Sequence, residues 1–317
     1  MHVTSRPAVD RADLEAAGDV LTRAWLAHAP FVSTTPGDLS WWYAQAWPAD
    51  LSERLRLWSA GERVVGWSWG EEVELDYLVW SGDAALDIEV EAALLGRAIE
   101  RADERAATGA DGALEVWVAE DDPRTTDRLE ALGLRLAPAP LTGHVALSQF
   151  QQTVADAADR PRRELPAGYR IRAIAGTAEL GARVEVHRAA FAPSRMTVDK
   201  YARLVGLPNY RFEDDLVVEA PDGALAAFAL AWWDPVAQVG ELEPVGTHPD
   251  HQRRGLGAAL LDHALRRYAD LGARLVQVFS DTANVASEAL YPSVGFQRRA
   301  FHRRYRRPSQ GPVVSPG

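Results

Sequence analysis

Apolar positions recur along the chain with two alternating periods, and the whole alternation is repeated once. In the second half, Leu260, Leu261, Ala264, Leu265, Tyr268 and Leu271 fall at helical spacing, which predicts an amphipathic helix over residues 256–271. Short runs of branched and aromatic residues predict strands at 169–174, 216–219, 224–233, 240–247, 275–279 and 297–305. Pro221-Asp222-Gly223 marks the turn between the second and third of these. Further helices are expected at 176–192 and 284–294, the latter closed by Gly295.

The first half follows the same order. A helix is expected at 12–28, strands at 55–59, 64–69 and 73–80, and a helix at 88–106. A strand at 114–119, a helix at 123–132 closed by Gly133, and a strand at 144–148 complete it. Self-similarity over about 150 residues implies a duplicated domain. The expected organisation is one domain over 1–150, a connection over 151–168 and a second domain over 169–307. A tail over 308–317, rich in proline and glycine, reads as disordered.

Composition narrows the class. With 47% hydrophobic and 25% charged residues in 317, the chain is globular. No apolar run approaches the ~18–20 residues of a membrane span, and the N-terminus has no signal-like apolar core. A cytoplasmic protein without a membrane partner is therefore expected. There are no cysteines, which removes disulfides, zinc–thiolate sites, iron–sulfur clusters and cysteine nucleophiles. A net charge of −11 disfavours nucleic acid as a partner and fits a cationic or amine-bearing one.

Residues 241–296 carry the chemistry. A strand runs into His248-Pro249-Asp250-His251, then Gln252-Arg253-Arg254-Gly255-Leu256-Gly257-Ala258, then the amphipathic helix. A glycine-rich turn that opens a helix aims several free backbone N–H groups, and the positive end of the helix dipole, at one point. This is a pyrophosphate cradle. It is not a dinucleotide fingerprint, because Leu260 stands where the third glycine should be, and no Gly-Lys-Ser/Thr is present for a P-loop.

Two ordered motifs give the cradle a family. Gln252-Arg253-Arg254-Gly255-Leu256-Gly257 matches Q/R-x-x-G-x-G/A after a strand ending Thr247-His248-Pro249. About thirty residues on, the stretch from Asn284 to Phe296 matches N-x-x-A/S-x-x-L-Y-x-x-x-G-F. Residues 169–306 thus resemble the GNAT acyltransferase superfamily. The whole chain resembles its tandem members, of which mycothiol synthase is one of similar length, in architecture and not in substrate. The fold implied is two tandem α/β (α+β) domains, each a mixed, mostly antiparallel twisted sheet flanked by helices.

The resemblance implies acetyl-CoA as cosubstrate and no metal. Backbone N–H groups of Gln252, Arg253, Arg254, Gly255, Leu256, Gly257 and Ala258 would hold its pyrophosphate. The backbone of Val245 and Thr247 would pair with the pantetheine arm, and Asn284 would contact the cofactor. Tyr291 would also touch it and protonate the departing thiolate, since a phenol with pKa about 10 carries a proton at neutral pH. An amine acceptor must lose a proton, and a strand carboxylate can take it. Glu241, eleven residues before Gln252, stands where several family members place their base; Glu243 is nearer the thioester. With Val245 and Thr247 they share one strand face at period two, barring a bulge. The oxyanion would meet a backbone N–H near residue 245. The function implied is N-acetyl transfer to a primary amine of a small acceptor by direct attack, with a non-catalytic acyl-CoA sensor as the alternative. The internal duplication favours a monomer over a homodimer.

The first half has the order of elements without the site. Its strand at 73–80 is followed by Ser81-Gly82-Asp83-Ala84-Ala85-Leu86-Asp87, whose carboxylates repel a pyrophosphate, and Leu129 stands where the second half has Tyr291. It reads as a degenerate copy that shapes the acceptor site. Gly66-Trp67-Ser68-Trp69-Gly70 matches a hydrolase elbow but is followed by a strand instead of a helix. His248 and His251 lack further metal ligands beyond Asp250. The six arginines of 298–307 are expected partly in solvent, with one or two near the 3′-phosphate of CoA. Glu185, Arg188, Phe191 and Tyr201 are candidates for the acceptor region, and one of Trp232 and Trp233 is expected at a pocket or domain interface.

Overall fold

A computed structural model describes residues 2–137, 146–155 and 162–309. The first half contributes β1 (Val3–Pro7), α1 (Arg11–His28), α2 (Pro36–Gln45), the single turn α3 (Leu51–Arg54), β2 (Leu55–Ala60), β3 (Arg63–Glu71) and β4 (Glu74–Val79). It continues with α4 (Ala84–Ala107), β5 (Leu114–Ala119), α5 (Pro123–Ala131), β6 (Arg135–Leu136) and β7 (Leu147–Thr153). The second half contributes β8 (Arg170–Ala173), α6 (Leu180–Ala190), α7 (Val198–Val205), β9 (Asp215–Glu219), β10 (Leu225–Asp234) and β11 (Val239–Thr247). Then follow α8 (Leu256–Leu271), β12 (Leu275–Asp281), α9 (Val285–Ser293) and β13 (Gln297–Arg307).

Among the described residues the strands form one sheet, in the order β1-β2-β3-β4-β5-β13-β7-β12-β11-β10-β9-β8, with β6 alongside β13. The two halves exchange their central strands. β7, from the first half, pairs with β12 and β13 of the second, while β13 pairs with β5 of the first. The helices explain why β10 is apolar almost throughout: both of its faces are covered. On one face α1, α2, α6 and α7 share a single core with Trp67, Trp69 and Trp232 from opposite ends of the sheet. On the other face the cores stay separate, one under α4 and α5 and one under α8 and α9.

One expectation changes. The strand expected at 144–148 is β7, which extends to Thr153 and so takes up the first residues of the expected connection. Residues 138–145, 156–161 and 310–317 lie outside the described residues, so the middle of the connection and nearly all of the tail do as well. The arginines of β13 all meet carboxylates, while Arg298 and Arg303 stay exposed as expected. Arg299 pairs with Asp121 (2.6 Å), Arg304 with Glu115 (2.7 Å) and Arg307 with Asp103 (2.7 Å), all carboxylates of the first half. Arg303 and Arg306 meet Glu120 and Glu115 there, and Arg298 meets Glu288. A basic central strand thus finds most of its acids in the half it invades.

The Gly66–Gly70 stretch lies inside β3 and leads into β4, so no nucleophile elbow forms, and Ser68 Oγ accepts from Trp58 Nε1 at 3.1 Å. Among the described residues, no helix is long and apolar enough to cross a membrane.

Exchanged strands and one shared core predict a single cooperative unit. Calorimetric or denaturant unfolding at neutral pH is expected to show one transition, the same by fluorescence and by circular dichroism. Two separable transitions would contradict the exchange.

Candidate active site

The site begins where β11 leaves β12. The two strands pair in parallel only over Val239, Gly240 and Glu241, opposite Leu275, Val276 and Gln277. Beyond Glu241 β11 stays paired with β10 alone. His248 N donates to Ala226 O of the β10 side. Backbone groups alternate along a strand, so Val245 and Thr247 turn their N–H and C=O into the opening. An extended ligand laid there would find a strand edge to pair with.

At the far end of β11 the chain makes two left-handed steps, Arg253 (φ 58°) and Gly255 (φ 80°), before α8 starts. Gly255 caps the helix without a side-chain hydrogen bond, so the first N–H groups of α8 keep no side-chain acceptor. Gly257 is small for another reason: a Cβ there would lie 3.3 Å from Leu290 and 3.7 Å from Thr247 Oγ1. Gln252, Arg253 and Arg254 are exposed around this turn. Arg254 is steadied by Tyr169 Oη (3.0 Å) and Asp250 O (3.1 Å). Tyr169 Oη also meets His251 Nδ1 (2.9 Å), and His248 Nδ1 accepts from Asp250 N (3.2 Å), so both histidines brace the loop.

The corresponding turn of the first half is closed by its own side chain. Asp83 caps α4, its Oδ1 accepting from Ala85 N (2.9 Å) and Leu86 N (3.2 Å). A carboxylate therefore occupies the N–H groups that Gly255 leaves open, and no second anion can take its place without losing that cap.

Below the opening sits an acid trio. Carboxylate oxygens of Asp38, Glu241 and Glu243 lie within 4.8 Å of one another, Asp38 and Glu241 buried and Glu243 half-buried. Asp38 comes from the first half, where Thr35 and Asp38 cap α2 reciprocally. Thr35 Oγ1 donates to Glu241 Oε2 across 206 residues of sequence. Burial pushes all three carboxyls above the usual carboxylate range; the charge of Asp38 adds to this at Glu241 and Glu243. Three carboxyls this close, raised by burial and by one another, are disposed to share a proton.

A line of side chains buried in the sheet holds Glu241. His302 Nε2 meets Gln149 Oε1 (3.1 Å), Gln149 Nε2 donates to Gln277 Oε1 (3.0 Å), and Gln277 Nε2 donates to Glu241 Oε1 (3.1 Å). The directions are forced. Gln149 Nε2 also faces Val32 O and Gln277 Nε2 faces Ser33 O, and a carbonyl can only accept. His302 must then carry its proton on Nε2; burial drops its pKa to about 4, so it is neutral. Each donor points towards the carboxylate, and such chains strengthen their members.

The strand carries a correction at Glu243-Pro244. Ala229 is opposite Val245, but Ala231 is opposite Leu242, so β11 holds one extra residue here. The bulge inverts the alternation. Glu241 and Glu243 face α2, whereas Val245 packs with Leu242 on the α8 side and Thr247 lies beside Gly257. The four residues expected on one face are therefore split two and two. Trp232 braces the bulge, its Nε1 donating to Glu243 O at 2.8 Å. Its indole lies against Gly37, where a Cβ would come within 2.4 Å of the ring. Trp233 faces the other way, towards Tyr268.

Tyr291 lies two turns into α9 from Asn284, an exposed residue whose Oδ1 caps the helix by accepting from Ser287 N (3.2 Å). Its ring packs between Phe296 and Phe150, the latter on the exchanged strand β7. Burial holds the phenol protonated well above neutral pH, and the Glu243 and Glu288 carboxylates add to this.

With this geometry in place, the comparisons with known proteins are specific. The model of the acetyltransferase (GNAT) family matches residues 186–296. The mycothiol acetyltransferase of Beutenbergia cavernae is 30% identical over 240 residues, 70% of this chain and 76% of that one. The chain belongs to the GNAT acetyltransferase family. The chain is also 34% identical over 84 residues to the ribosomal protein bS18-alanine N-acetyltransferase of Escherichia coli, covering 26% of this chain and 55% of that one. A tandem GNAT protein from the clavulanic acid biosynthesis pathway shares the fold, with a TM-score of 0.64 at 17% identity over 98% of this chain and 99% of that one. As a GNAT member the chain is an N-acetyltransferase, of a family that uses acetyl-CoA.

The GNAT motifs locate the opening, the cradle and Tyr291, but not the first-half residues that complete the site. Thr35-Pro36-Gly37-Asp38 reads as a helix cap, and nothing local announces its contact with Glu241. Gln277, a polar residue inside an apolar strand, was the available signal. Of the acceptor-region candidates, Tyr201 is fully buried, donating to Asp215 at 2.5 Å, while Glu185 and Arg188 are exposed and Phe191 packs on His187 and Phe228.

Two predictions follow from this chemistry. Gln277→Leu leaves Ser33 O without its partner and Gln149 Nε2 with Val32 O alone, and should cost about 1–3 kcal/mol in denaturant unfolding. It also removes a donor from Glu241, so the acidic limb of the rate profile should move to higher pH; an unmoved limb would show that Gln277 does not act on the trio. The second concerns Asp76 of β4, which burial, helped by Glu74, Asp38 and Glu71, raises to about 7. Its unfolded value is about 3.9, so its contribution is complete below that pH and is lost as pH rises to about 7. The melting temperature should fall between pH 5 and pH 7, and fall less in Asp76→Asn. An equal fall in both proteins would remove Asp76 as a cause.

Proposed function

We propose that this chain moves the acetyl group of acetyl-CoA to a primary amine of a small acceptor by direct attack, with acetyl-CoA held by the second half and Asp38 of the first half completing the acid trio. The observation that carries the reading is the parting of β11 from β12 directly above the acid trio, with a free strand edge between them. Bound acetyl-CoA supplies an acyl group activated as a thioester. Val245 and Thr247 pair with its pantetheine arm. The N–H groups of residues 252–258 hold its pyrophosphate, aided by the dipole of α8, and Asn284 makes a further contact.

The trio takes the proton from the attacking amine. Glu243 is the member that meets the acceptor, because it is half-buried, while both oxygens of Glu241 already accept from Thr35 and Gln277. A backbone N–H at Val245 donates to the oxygen that gains charge in the tetrahedral intermediate. Tyr291 gives its proton to the departing thiolate, and burial keeps the phenol neutral and protonated until then. The internal pairing of halves makes a monomer the working unit.

Titration calorimetry with acetyl-CoA should give one site per chain, since Asp83 closes the first-half cradle. Tyr291→Phe should bind acetyl-CoA as tightly but lose about 10²–10⁴-fold in kcat. Two sites, or unchanged turnover, would overturn the assignment of half or of acid.

A further inference from the structure

A cavity of about 310 Å³ opens between α1, the start of α2, and the turn joining β10 to β11. It shares none of the cradle residues, and its wall includes Glu241. Glu241 is the last residue of β11 paired with β12. At ~3.3 Å per residue, Glu243 and the opening lie about 7 Å or less along the strand. The cavity therefore approaches the reacting position from the side opposite the pyrophosphate.

Its uncharged polar lining is taken up internally, Ser40 with Asn209, Thr35 with Glu241 and Thr22 with Asp234. Leu14, Pro36, Leu207, Trp232, Val236 and Val239 supply apolar walls. Glu15 and Asp19, one helical turn apart on α1, are exposed at its edge. Asp234 is spent on folding, accepting from Thr22 Oγ1 (2.6 Å) and from Val236 and Ala237 N (2.9 and 3.0 Å). Arg11, the cation of the lining, donates to Gly206 O at 2.9 Å.

Gly18 lies mid-helix in the same wall. A Cβ there would meet only the Pro36 ring, at an ordinary 3.5 Å. Glycine in a helix interior costs about 1 kcal/mol against alanine. Packing does not require it, and what its absent side chain leaves is room.

We infer that this cavity is the acceptor pocket and that it takes a compact cationic amine with an apolar, preferably aromatic, body. This deepens the acetyl-transfer reading and rests on it. The body lies against Trp232 and the aliphatic wall, Glu15 and Asp19 attract the ammonium at the entrance, and the amine end passes the wall at Glu241 towards Glu243, about 7 Å or less further along β11. A polyhydroxylated amino sugar would leave its hydroxyls unpaired against such walls.

The test is acetylation of a panel containing phenethylamine, glucosamine and a short peptide with a free N-terminus. Acetyl-CoA affinity is measured in parallel by calorimetry. Phenethylamine should exceed glucosamine in kcat/KM by about 10-fold or more. Glu15→Gln with Asp19→Asn should raise its KM by about 3-fold or more with kcat and acetyl-CoA affinity unchanged. Gly18→Leu should block it, and Gly18→Ala, which fits the helix, should give a smaller rise in KM. Preference for glucosamine or the peptide, or a KM indifferent to these changes, would overturn the pocket. Acetyl-CoA binding with no transfer to any amine would instead overturn the acetyl-transfer reading.

Discussion

The hydrogen-bond line from His302 to Glu241 crosses four strands, and neither half can form it alone. Gln149 lies on β7 of the first half, His302, Gln277 and Glu241 on strands of the second, and the carbonyls of Val32 and Ser33 belong to the loop ahead of α2. A slip of one residue in β7 or β12 would turn a glutamine to the opposite face. Each stranded amide would then cost about 1–3 kcal/mol. Strand register, the exchange of β7 and β13, and the seating of Thr35 and Asp38 are thus one specification. The arginine pairs of β13 add to it, but most are partly exposed and worth less. The Arg304–Glu115 pair is the exception, with both side chains 3% exposed.

Duplication has left two copies of one geometry with different contents. β4 and β5 also pair in parallel for two residues, Glu74 with Glu115 and Leu75 with Val116, and then part. The opening is retained while its anion site is filled by Asp83. At the position of Tyr291 the copy has Leu129, which is fully buried. What the first half presents instead is the α1–α2 face, from which Thr35 and Asp38 meet Glu241.

Legibility followed the range of the interaction. α8 and β5 match their periodic patterns to the residue, because each presents one consistent face to one core. The open turn at Gly255 and the place of Tyr291 on α9 were legible because a turn and a helix start are local features. α2 was not expected: Leu39, Ser40 and Trp41 are consecutive buried residues, so no single apolar stripe marks it. The bulge at Glu243-Pro244 was open to suspicion from Pro244, but only the pairing with β10 shows which residues change face. The exchange of β7 and β13 leaves no local trace, since a strand reads the same whichever neighbour it pairs with. Asp38 was lost for the same reason, being a good cap residue before it is anything else.

The acid trio ties burial to the proposed reaction. An ordinary glutamate, with pKa about 4.3, and an alkylammonium, at about 10.4, differ by ~6 units, or roughly 8 kcal/mol against proton transfer. Every unit by which burial raises the trio removes about 1.4 kcal/mol of that barrier. Three neighbouring carboxyls cannot all ionise, so the trio also retains a proton that an exposed glutamate would lose. An arriving ammonium favours ionisation of the trio, and transfer of its proton restores the neutral form once the amine is committed to attack. The donors from Thr35 and Gln277 limit the rise at Glu241, which keeps one member able to hold charge beside its more accessible neighbour. Burial too shallow would leave the carboxylates too weak as bases. Burial without these donors would keep them protonated when the amine arrives.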